Sequence, residues 1–477
     1  MLFNSFSFLV FFPIVLLLYW QLQRAPLLYQ NLLVVLVSYL FYGWWDFRFL
    51  SLLVLSSFVD YFVGYQLPRQ ATQSRRKMLL AVSLCFSLGL LGFFKYCDFF
   101  IHSFAALLGR LGIHADQFSL RIILPVGISF YTFQTMSYTI DVYRGKLAPT
   151  RNLFAFLAFV SFFPQLVAGP IERATNLLPQ FLRRRTLDLD KARDGLRQML
   201  WGFFKKLVVA DNLAPLVKNA YEHWAQLSGL DLALGTFLFA IQIYCDFSGY
   251  SDIAIGSARL FGINLMRNFA FPYFSRDIAE FWRRWHISLS TWFRDYVYLP
   301  LGGSRASTSR RIVNVMVTFT VSGFWHGANW TFIAWGFLNG VYYIPLMLAG
   351  QERKNTDIIA VNRRLPSPIE GIQVLATFLL TLLAWVFFRS ASLSDALGYI
   401  SRTFTTSWLV RPSGRVIVAV GYSLVMLLAE WVQRHNHHAL TVDRLPTPAR
   451  WGVYAAVSIA ILLLGNFGDV QFIYFQF

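Results

Sequence analysis

The segment VSGFWHGANW, residues 321–330, lies in an apolar stretch of helix length and contains one ionisable side chain, His326. A run of this kind is typical of a helix inside a membrane. An ionisable group at that depth is costly, so a functional site is the first hypothesis for it. Near neutral pH, imidazole is the side chain best suited to take a proton from a hydroxyl. The segment therefore predicts a membrane protein with a reactive histidine.

The composition of the whole chain agrees with this prediction. Of the 477 residues, 56% are hydrophobic and only 14% are charged, whereas soluble globular chains usually carry about a quarter charged residues. Counting shorter, interrupted runs, we expect an all-α polytopic protein with about nine to twelve membrane helices. The clearest apolar runs are residues 6–22, 27–45, 47–67, 78–94, 122–138, 234–250, 372–388, 416–432 and 454–467.

The distribution of charge predicts the partner and the orientation of the chain. The N-terminal run has no basic residue before it and no small-x-small cleavage site after it, so we expect a retained helix with its N-terminus outside. The net charge of +18 arises largely from basic loops, such as residues 75–77, 183–185, 310–311 and 363–364. Such loops stay in the cytoplasm beside anionic lipid heads. Membrane lipid is thus the expected partner, and nucleic acid is not.

The polar stretches are too short to form an independent soluble core. We therefore expect a single membrane-embedded domain over residues 1–477. Residues 163–170 contain two prolines and a glycine. Because broken backbone at membrane depth must be buried in protein or line a cavity, this stretch predicts a re-entrant segment.

Residues 278–292 are helical in pattern and dense in both aromatic and charged side chains. A lipid-facing crossing is excluded, so we expect this helix in the interface or dipping into the protein. On a continuous helix, Trp282, His286 and Ser290 would share one face, with Arg283 and Arg284 pointing elsewhere.

Two of the eight histidines, His286 and His326, each follow a tryptophan. A lone buried histidine is most often structural, but two Trp-His pairs make a site more plausible. His435, His437 and His438 form a tight cluster without Cys or carboxylate at ligand spacing, so we expect no metal. The three cysteines form neither a disulfide framework nor a metal set.

Asp246 and Asp252 lie beside or within an apolar run. They could orient a catalytic histidine or an arginine. The alternative, which the sequence favours slightly, is a structural ion pair, for example with Arg259, seven residues beyond Asp252. A Walker loop, a GxGxxG fingerprint, a GxSxG elbow and an HExxH motif are all missing from the sequence. ATP-driven transport, nicotinamide chemistry and ordinary serine hydrolysis are therefore disfavoured.

Several longer motifs carry a family resemblance. They are LPVGISFYTF at 124–133, IDVYRG at 140–145, FFPQLVAGP at 162–170, DFSGYSD at 246–252, EFWRRWH at 280–286, RDY at 294–296, LGG at 301–303 and WHG at 325–327. With them, the chain resembles the membrane-bound O-acyltransferases, in the bacterial alginate O-acetylation branch. It is similar, more distantly, to the membrane D-alanyl transferase of teichoic acid modification.

The resemblance implies a fold and an activity. The fold would be a ring of tilted helices, with re-entrant segments, around a central tunnel. The activity would be O-acetylation of an exported polysaccharide, alginate-like or cellulose. The acetyl group would come from a cytoplasmic thioester, with acetyl coenzyme A as the expected donor and no bound cofactor. It would pass to a periplasmic acetyltransferase partner within a polysaccharide export complex of the bacterial inner membrane.

The resemblance also assigns residues. The family's invariant catalytic histidine corresponds to His326, and its second histidine corresponds to His286. In this hypothesis His326 removes the acceptor proton, and His286 holds the acceptor or the thioester end. Asn329 could donate to the developing oxyanion. Arg283 and Arg284 could bind donor phosphates, although anchoring to lipid heads explains them equally well.

Two other functions are compatible with a buried histidine. A proton-coupled transporter or flippase would use His326 and the aspartates as a proton relay. Such a protein would show paired broken helices in two related halves, and only the break at residues 163–170 is evident. A non-catalytic scaffold of a polysaccharide export complex is the second alternative.

Overall fold

Apolar runs fold as helices in a membrane because the bilayer core offers no water to backbone N–H and C=O groups. The computed structural model describes residues 1–113, 120, 122–167, 169–468 and 472–473. Within these residues every regular element is helical, so the predicted all-α class is confirmed.

Twenty α-helices occur in the described residues. In chain order they are α1 (Phe6–Gln21), α2 (Leu27–Gly43), α3 (Leu50–Gln66), α4 (Gln73–Leu91), α5 (Cys97–Arg110), α6 (Ile128–Tyr143), α7 (Leu153–Ser161), α8 (Phe163–Leu166), α9 (Ala174–Phe181), α10 (Leu189–Phe203), α11 (Asp211–Glu222), α12 (Gly229–Leu260), α13 (Ile278–Arg284), α14 (Ile287–Phe293), α15 (Thr308–His326), α16 (Trp330–Leu348), α17 (Pro368–Arg389), α18 (Leu393–Thr405), α19 (Gly414–Val432) and α20 (Thr447–Leu464). Three π-helical segments also occur, at Gly92–Tyr96, Phe204–Ala210 and Arg294–Tyr298.

Eight helical segments of the described chain are long and apolar enough to cross a bilayer. They are Phe6–Arg24, Phe47–Arg69, Gln73–Arg110, Gly229–Leu260, Trp330–Leu348, Pro368–Arg389, Gly414–Val432 and Thr447–Leu464. Leu27–Gly43 is a shorter apolar helix. These segments confirm a multi-pass membrane protein, while the ring of helices and its tunnel stay predictions.

The chain divides into two compact units. The first contains Met1–Ala192 with Ser257–Leu265, and the second contains Arg193–Gly256 with Met266–Phe477. The single domain expected over residues 1–477 stays a prediction.

In the first unit, α2, α3, α4, α6 and α7 pack against one another. The helix break predicted near the two prolines is confirmed. Helix α7 has nine residues, about half the length needed to cross a bilayer. It ends at Ser161, and α8 begins at Phe163. Phe162 and Phe163 are almost completely buried, so the broken backbone is enclosed by protein. A re-entrant path through the membrane remains a prediction.

In the second unit, α15 and α16 form the most closely packed helix pair. A β-carbon on Gly323 would collide with the Phe332 carbonyl oxygen, and one on Gly336 would collide with the Phe319 carbonyl oxygen. The two glycines therefore allow backbone contact between the helices. Helix α17, which packs on α16, begins with a capping box between Ser367 and Glu370.

Candidate active site

The two histidines singled out by sequence lie side by side in the second unit. His326 is the last residue of α15, and His286 lies between α13 and α14. Both are buried, at 3% and 0% exposure. Their ring centroids are 6.4 Å apart. The fold thus brings together two imidazoles that are forty residues apart in sequence. A site that uses two histidines requires such proximity.

Aromatic rings surround both histidines. The His326 ring lies 5.0 Å from Trp325, 5.1 Å from Trp335 and 5.4 Å from Phe388, measured between centroids. The His286 ring lies 4.6 Å from Phe247. Such walls give both rings surroundings of low polarity from which bulk water is excluded.

The continuous helix predicted over residues 278–292 is wrong. Helix α13 ends at Arg284, Trp285 is extended, and His286 adopts a left-handed conformation with φ of 42° before α14 begins. At the break, backbone hydrogen bonds to another segment replace those of a helix. The Ile287 N–H donates to the Asn268 carbonyl oxygen at 2.8 Å, and the Ala270 N–H donates to the Arg284 carbonyl oxygen at 2.9 Å. Trp282, His286 and Ser290 therefore do not share the face of one helix. The break instead turns His286 into the protein.

Asn268 is a site residue that sequence reasoning missed. Its Oδ1 lies 3.0 Å from His286 Nδ1 and accepts the Ser288 hydroxyl at 2.9 Å. Its Nδ2 donates to Ser251 Oγ at 3.0 Å. The only signal in the sequence is a lone amide just before the aromatic stretch FAFPYF, residues 269–274.

These contacts determine the tautomer of His286. Since the amide oxygen of Asn268 faces the ring, His286 Nδ1 carries the proton and donates it. The other ring nitrogen, Nε2, is buried and has no hydrogen-bond partner among the described residues. Burial also lowers the pKa of His286 to about 3, so the ring is neutral at cellular pH. His286 therefore presents a hydrogen-bond acceptor, Nε2, inside the protein.

Asp246 and Asp252, both on α12, form ion pairs with two buried lysines. Asp252 Oδ2 lies 2.6 Å from Lys205 Nζ, and Asp246 Oδ1 lies 2.8 Å from Lys206 Nζ. Asp246 also accepts the backbone N–H of Ile473 at 2.8 Å. These contacts support the structural-ion-pair interpretation. The two lysines were missed, although FFKKLVVA, residues 203–210, places them conspicuously inside an apolar run.

The two arginines differ in their surroundings. Arg284 forms a salt bridge of 2.7 Å with Glu280, which holds α13 together. Arg283 is exposed and donates to the Glu352 and Asn355 carbonyls, both at 2.7 Å. Of these two arginines, Arg283 lines a cavity in the second unit, and Arg284 is not among its lining residues.

A cavity of about 540 Å³ lies in the second unit. Its exposed arginines are Arg283, Arg294 and Arg353. Its wall also includes Ile287, which follows His286, and Ser322, which lies one turn before His326 on α15. Neither His286 nor His326 is among the lining residues of this cavity, but its wall reaches the residue after His286 and a residue one helical turn before His326.

Asn329 has a structural role in this arrangement. Its side chain caps α16 by accepting the Thr331 N–H at 3.0 Å, and its amide donates to the Ala391 carbonyl at 3.0 Å. Among the clustered histidines, His438 Nε2 lies 2.9 Å from Asp194 Oδ1, which gives that ring a structural partner too.

Several known proteins are similar in sequence to this chain. The profile of the membrane-bound O-acyltransferase family, MBOAT, matches residues 148–356, which include both histidines. The chain is 42% identical over 402 residues to a probable alginate O-acetylase AlgI of Azotobacter vinelandii, covering 83% of this chain and 76% of the relative. It is 35% identical over 427 residues to a peptidoglycan O-acetyltransferase of Helicobacter pylori, covering 83% and 78%.

A third similarity is shorter. A teichoic acid D-alanyltransferase of Streptococcus thermophilus is 30% identical over 261 residues, covering 51% of this chain and 62% of the relative. The long alignments establish the family that the motifs suggested. The chain belongs to the membrane-bound O-acyltransferase family and is an acyltransferase.

Proposed function

We propose that this acyltransferase moves an acetyl group from a cytoplasmic thioester toward an exported polysaccharide. The observation that carries the proposal is the pair of buried histidines, 6.4 Å apart, behind a cavity with a cationic rim. Acyl transfer to a hydroxyl requires a base in a water-poor site, and this pair supplies one.

The cavity suits the donor that the sequence suggested, acetyl coenzyme A. The exposed guanidinium groups of Arg283 and Arg353 can bind phosphate groups, whereas Arg294 already pairs with Asp295 at 2.8 Å. The mixed apolar and hydroxyl lining beyond them can accept a narrow pantetheine-like chain. Arg284 is assigned no donor contact, because Glu280 already binds it. The thioester would enter between Ile287 and Ser322.

The proposed chemistry uses the two rings differently. His326 takes the proton of the acceptor hydroxyl while that oxygen attacks the thioester carbonyl carbon. The carbon–sulfur bond then breaks, and the departing sulfur recovers the proton from His326 as a thiol. His286, with its lone pair on Nε2, accepts a hydrogen bond from a neighbouring hydroxyl of the acceptor sugar and so orients the sugar. Asn329 is left out, since its amide caps α16 and binds Ala391.

The proposed acceptor is suggested by the relatives' names, and the proposed partner by the family resemblance of the motifs. One relative is named for the O-acetylation of alginate, and another is named for the O-acetylation of peptidoglycan. A polysaccharide exported across the bacterial inner membrane is therefore the proposed final acceptor. A periplasmic acetyltransferase in the same export complex would receive the group first. A membrane-embedded site lets the acetyl group cross while coenzyme A remains in the cytoplasm.

Reconstitution in proteoliposomes tests this function. Acetyl coenzyme A labelled in its acetyl group is supplied on one side, and an alginate oligosaccharide together with a periplasmic extract of the same bacterium is supplied on the other. We expect label in ester linkage on the far side, with one free coenzyme A thiol formed per ester. If acetyl coenzyme A or the oligosaccharide crossed the membrane and no ester formed, the result would contradict the proposal and favour a transporter. No ester and no transport in a folded protein would favour a scaffold.

A further inference from the structure

Asp60 is a buried carboxylate that the proposed chemistry does not use. It lies on α3, near the middle of the candidate span Phe47–Arg69, and it has 0% exposure. A charged carboxylate at the bilayer centre is costly unless a positive partner compensates it. Among the described residues, no lysine, arginine or histidine forms an ion pair with it.

Hydroxyl groups from two neighbouring helices surround this carboxylate. Ser83 Oγ on α4 donates to Asp60 Oδ1, and Thr139 Oγ1 on α6 lies 3.0 Å from the same oxygen. Ser87 and Thr135 lie one turn away from these two residues, on the same helix faces. Both also interact with the carboxyl group. All four hydroxyl residues are buried, with at most 1% exposure.

The cluster has more acceptors than donors. Thr135 donates to its own helix at the Thr132 carbonyl, 3.3 Å away. Asp60 Oδ2 and Ser87 Oγ are buried, and neither has a partner with hydrogen-bond geometry among the described residues, although the Ser87 hydroxyl lies near enough to the carboxyl group to interact with it. Each hydroxyl oxygen also has two lone pairs. The pocket thus combines one negative charge with several oxygen atoms that can still accept.

We propose that Asp60, Ser83, Ser87, Thr135 and Thr139 bind one small monovalent cation of the sodium class. Hard cations prefer carboxylate and hydroxyl oxygens of this kind. A single positive charge balances the single carboxylate, and the five residues offer six side-chain oxygens from three helices as ligands. A proton would also balance the charge, but it would satisfy only one acceptor.

The packing around the cluster favours a small ion. Gly64 lies one turn after Asp60 on α3, and a β-carbon there would overlap the Tyr138 ring on α6. The helices therefore approach closely beside the site, and its side chains are short. Binding would tie α3, α4 and α6 together in the first unit.

Thermal unfolding of the purified full-length chain tests the site. Melting is measured in sodium, potassium and choline chloride at equal ionic strength. We expect sodium to raise the midpoint by about 2–4 °C over choline, with a smaller effect of potassium. Asp60→Asn should abolish the response to sodium.

A second pair of variants keeps the test decisive if Asp60→Asn does not fold. Ser87→Ala should raise the half-saturating sodium concentration about tenfold. Ser161→Ala, which removes another buried serine that donates to its own helix at Leu157, should respond to sodium as the wild type does.

Three outcomes would overturn the proposal. Equal midpoints in sodium and choline would mean that the carboxyl group is neutralised by a proton. A sodium response that persists in Asp60→Asn would place the ion elsewhere. Equal stabilisation by sodium and potassium would contradict a small-cation site. None of these measurements uses acyl transfer, so they stand apart from a failure of the proposed enzymatic function.

Discussion

At the scale of single residues, His286 is held by contacts that its own neighbourhood in sequence does not reveal. A positive φ in a residue other than glycine costs about 1–3 kcal/mol, and Asn268 provides the hydrogen bonds that hold this conformation. Sequence could single out His286 and His326 because ionisable groups are rare in apolar runs. It could not predict the tautomer, which depends on an asparagine 18 residues away.

Replacing Asn268 should therefore change the chemistry of His286. We expect Asn268→Leu to lower kcat by about 10–100-fold, with a smaller change in KM for the donor. Asn268→Asp keeps an acceptor for the Nδ1 proton and should recover much of the rate. ¹⁵N NMR of labelled histidine should show the Nδ1–H form in the wild type and in Asn268→Asp, and a mixture of tautomers in Asn268→Leu.

Asn314→Leu is a matched control for that experiment. Asn314 is also fully buried in the second unit, on α15 rather than beside His286. The Asn314→Leu substitution should leave the His286 tautomer unchanged. An Asn268→Leu protein with the wild-type tautomer and rate would show that Asn268 does not position the ring.

His286 should also make the stability of the protein depend on pH. Its pKa is about 3 in the folded protein and near 6.5 when unfolded. Protonation therefore favours the unfolded chain, and the stabilisation is complete above pH 6.5 and lost as the pH falls toward 3. Below pH 6.5, the wild type should lose about 1.4 kcal/mol per pH unit relative to His286→Gln. Denaturation midpoints measured between pH 7 and pH 5 check this; parallel curves for both proteins would refute it.

At the scale of helices, the sequence predicted where apolar segments lie better than where they break. The break beside two prolines before α8 was predicted, because proline and glycine interrupt helices directly. The break between α13 and α14 was not, because residues 278–292 have good helical periodicity. That break depends on hydrogen bonds from Asn268 and Ala270, which come from a separate segment of the chain.

The contact between α15 and α16 gives a prediction at this scale. Gly336→Ala would place a methyl group against the Phe319 carbonyl oxygen. We expect it to destabilise the protein by about 1–3 kcal/mol and to reduce acyl transfer, because α15 carries His326. Thermal melting and initial rates measure the two effects.

Gly371→Ala is the matched control for the helix contact. Gly371 lies in α17 with no atom near the position of an added β-carbon. This change should leave activity unaltered and raise stability slightly, by up to about 1 kcal/mol. If both glycine variants behaved alike, the close packing of α15 on α16 would not be what positions His326.

At the scale of the whole molecule, composition predicted the class of protein. A chain with 56% hydrophobic and 14% charged residues can satisfy its backbone in lipid only as helices or a closed barrel, and the apolar runs have helical length. What composition could not predict is the pairing of buried charges. Lys205 and Lys206 add to the net charge of +18, yet they neutralise Asp252 and Asp246 inside the second unit.

The measurement that tests the central claim most directly is the initial rate of acetyl transfer by His326→Gln. The substitution keeps a polar side chain of similar size and removes the base. We predict a loss of about 10²–10⁴-fold in rate, with an unchanged melting temperature and unchanged binding of acetyl coenzyme A. The exposed histidine variant His223→Gln should retain the wild-type rate. A His326→Gln protein that transfers acetyl groups within about twofold of the wild type would contradict the role of His326 as the base.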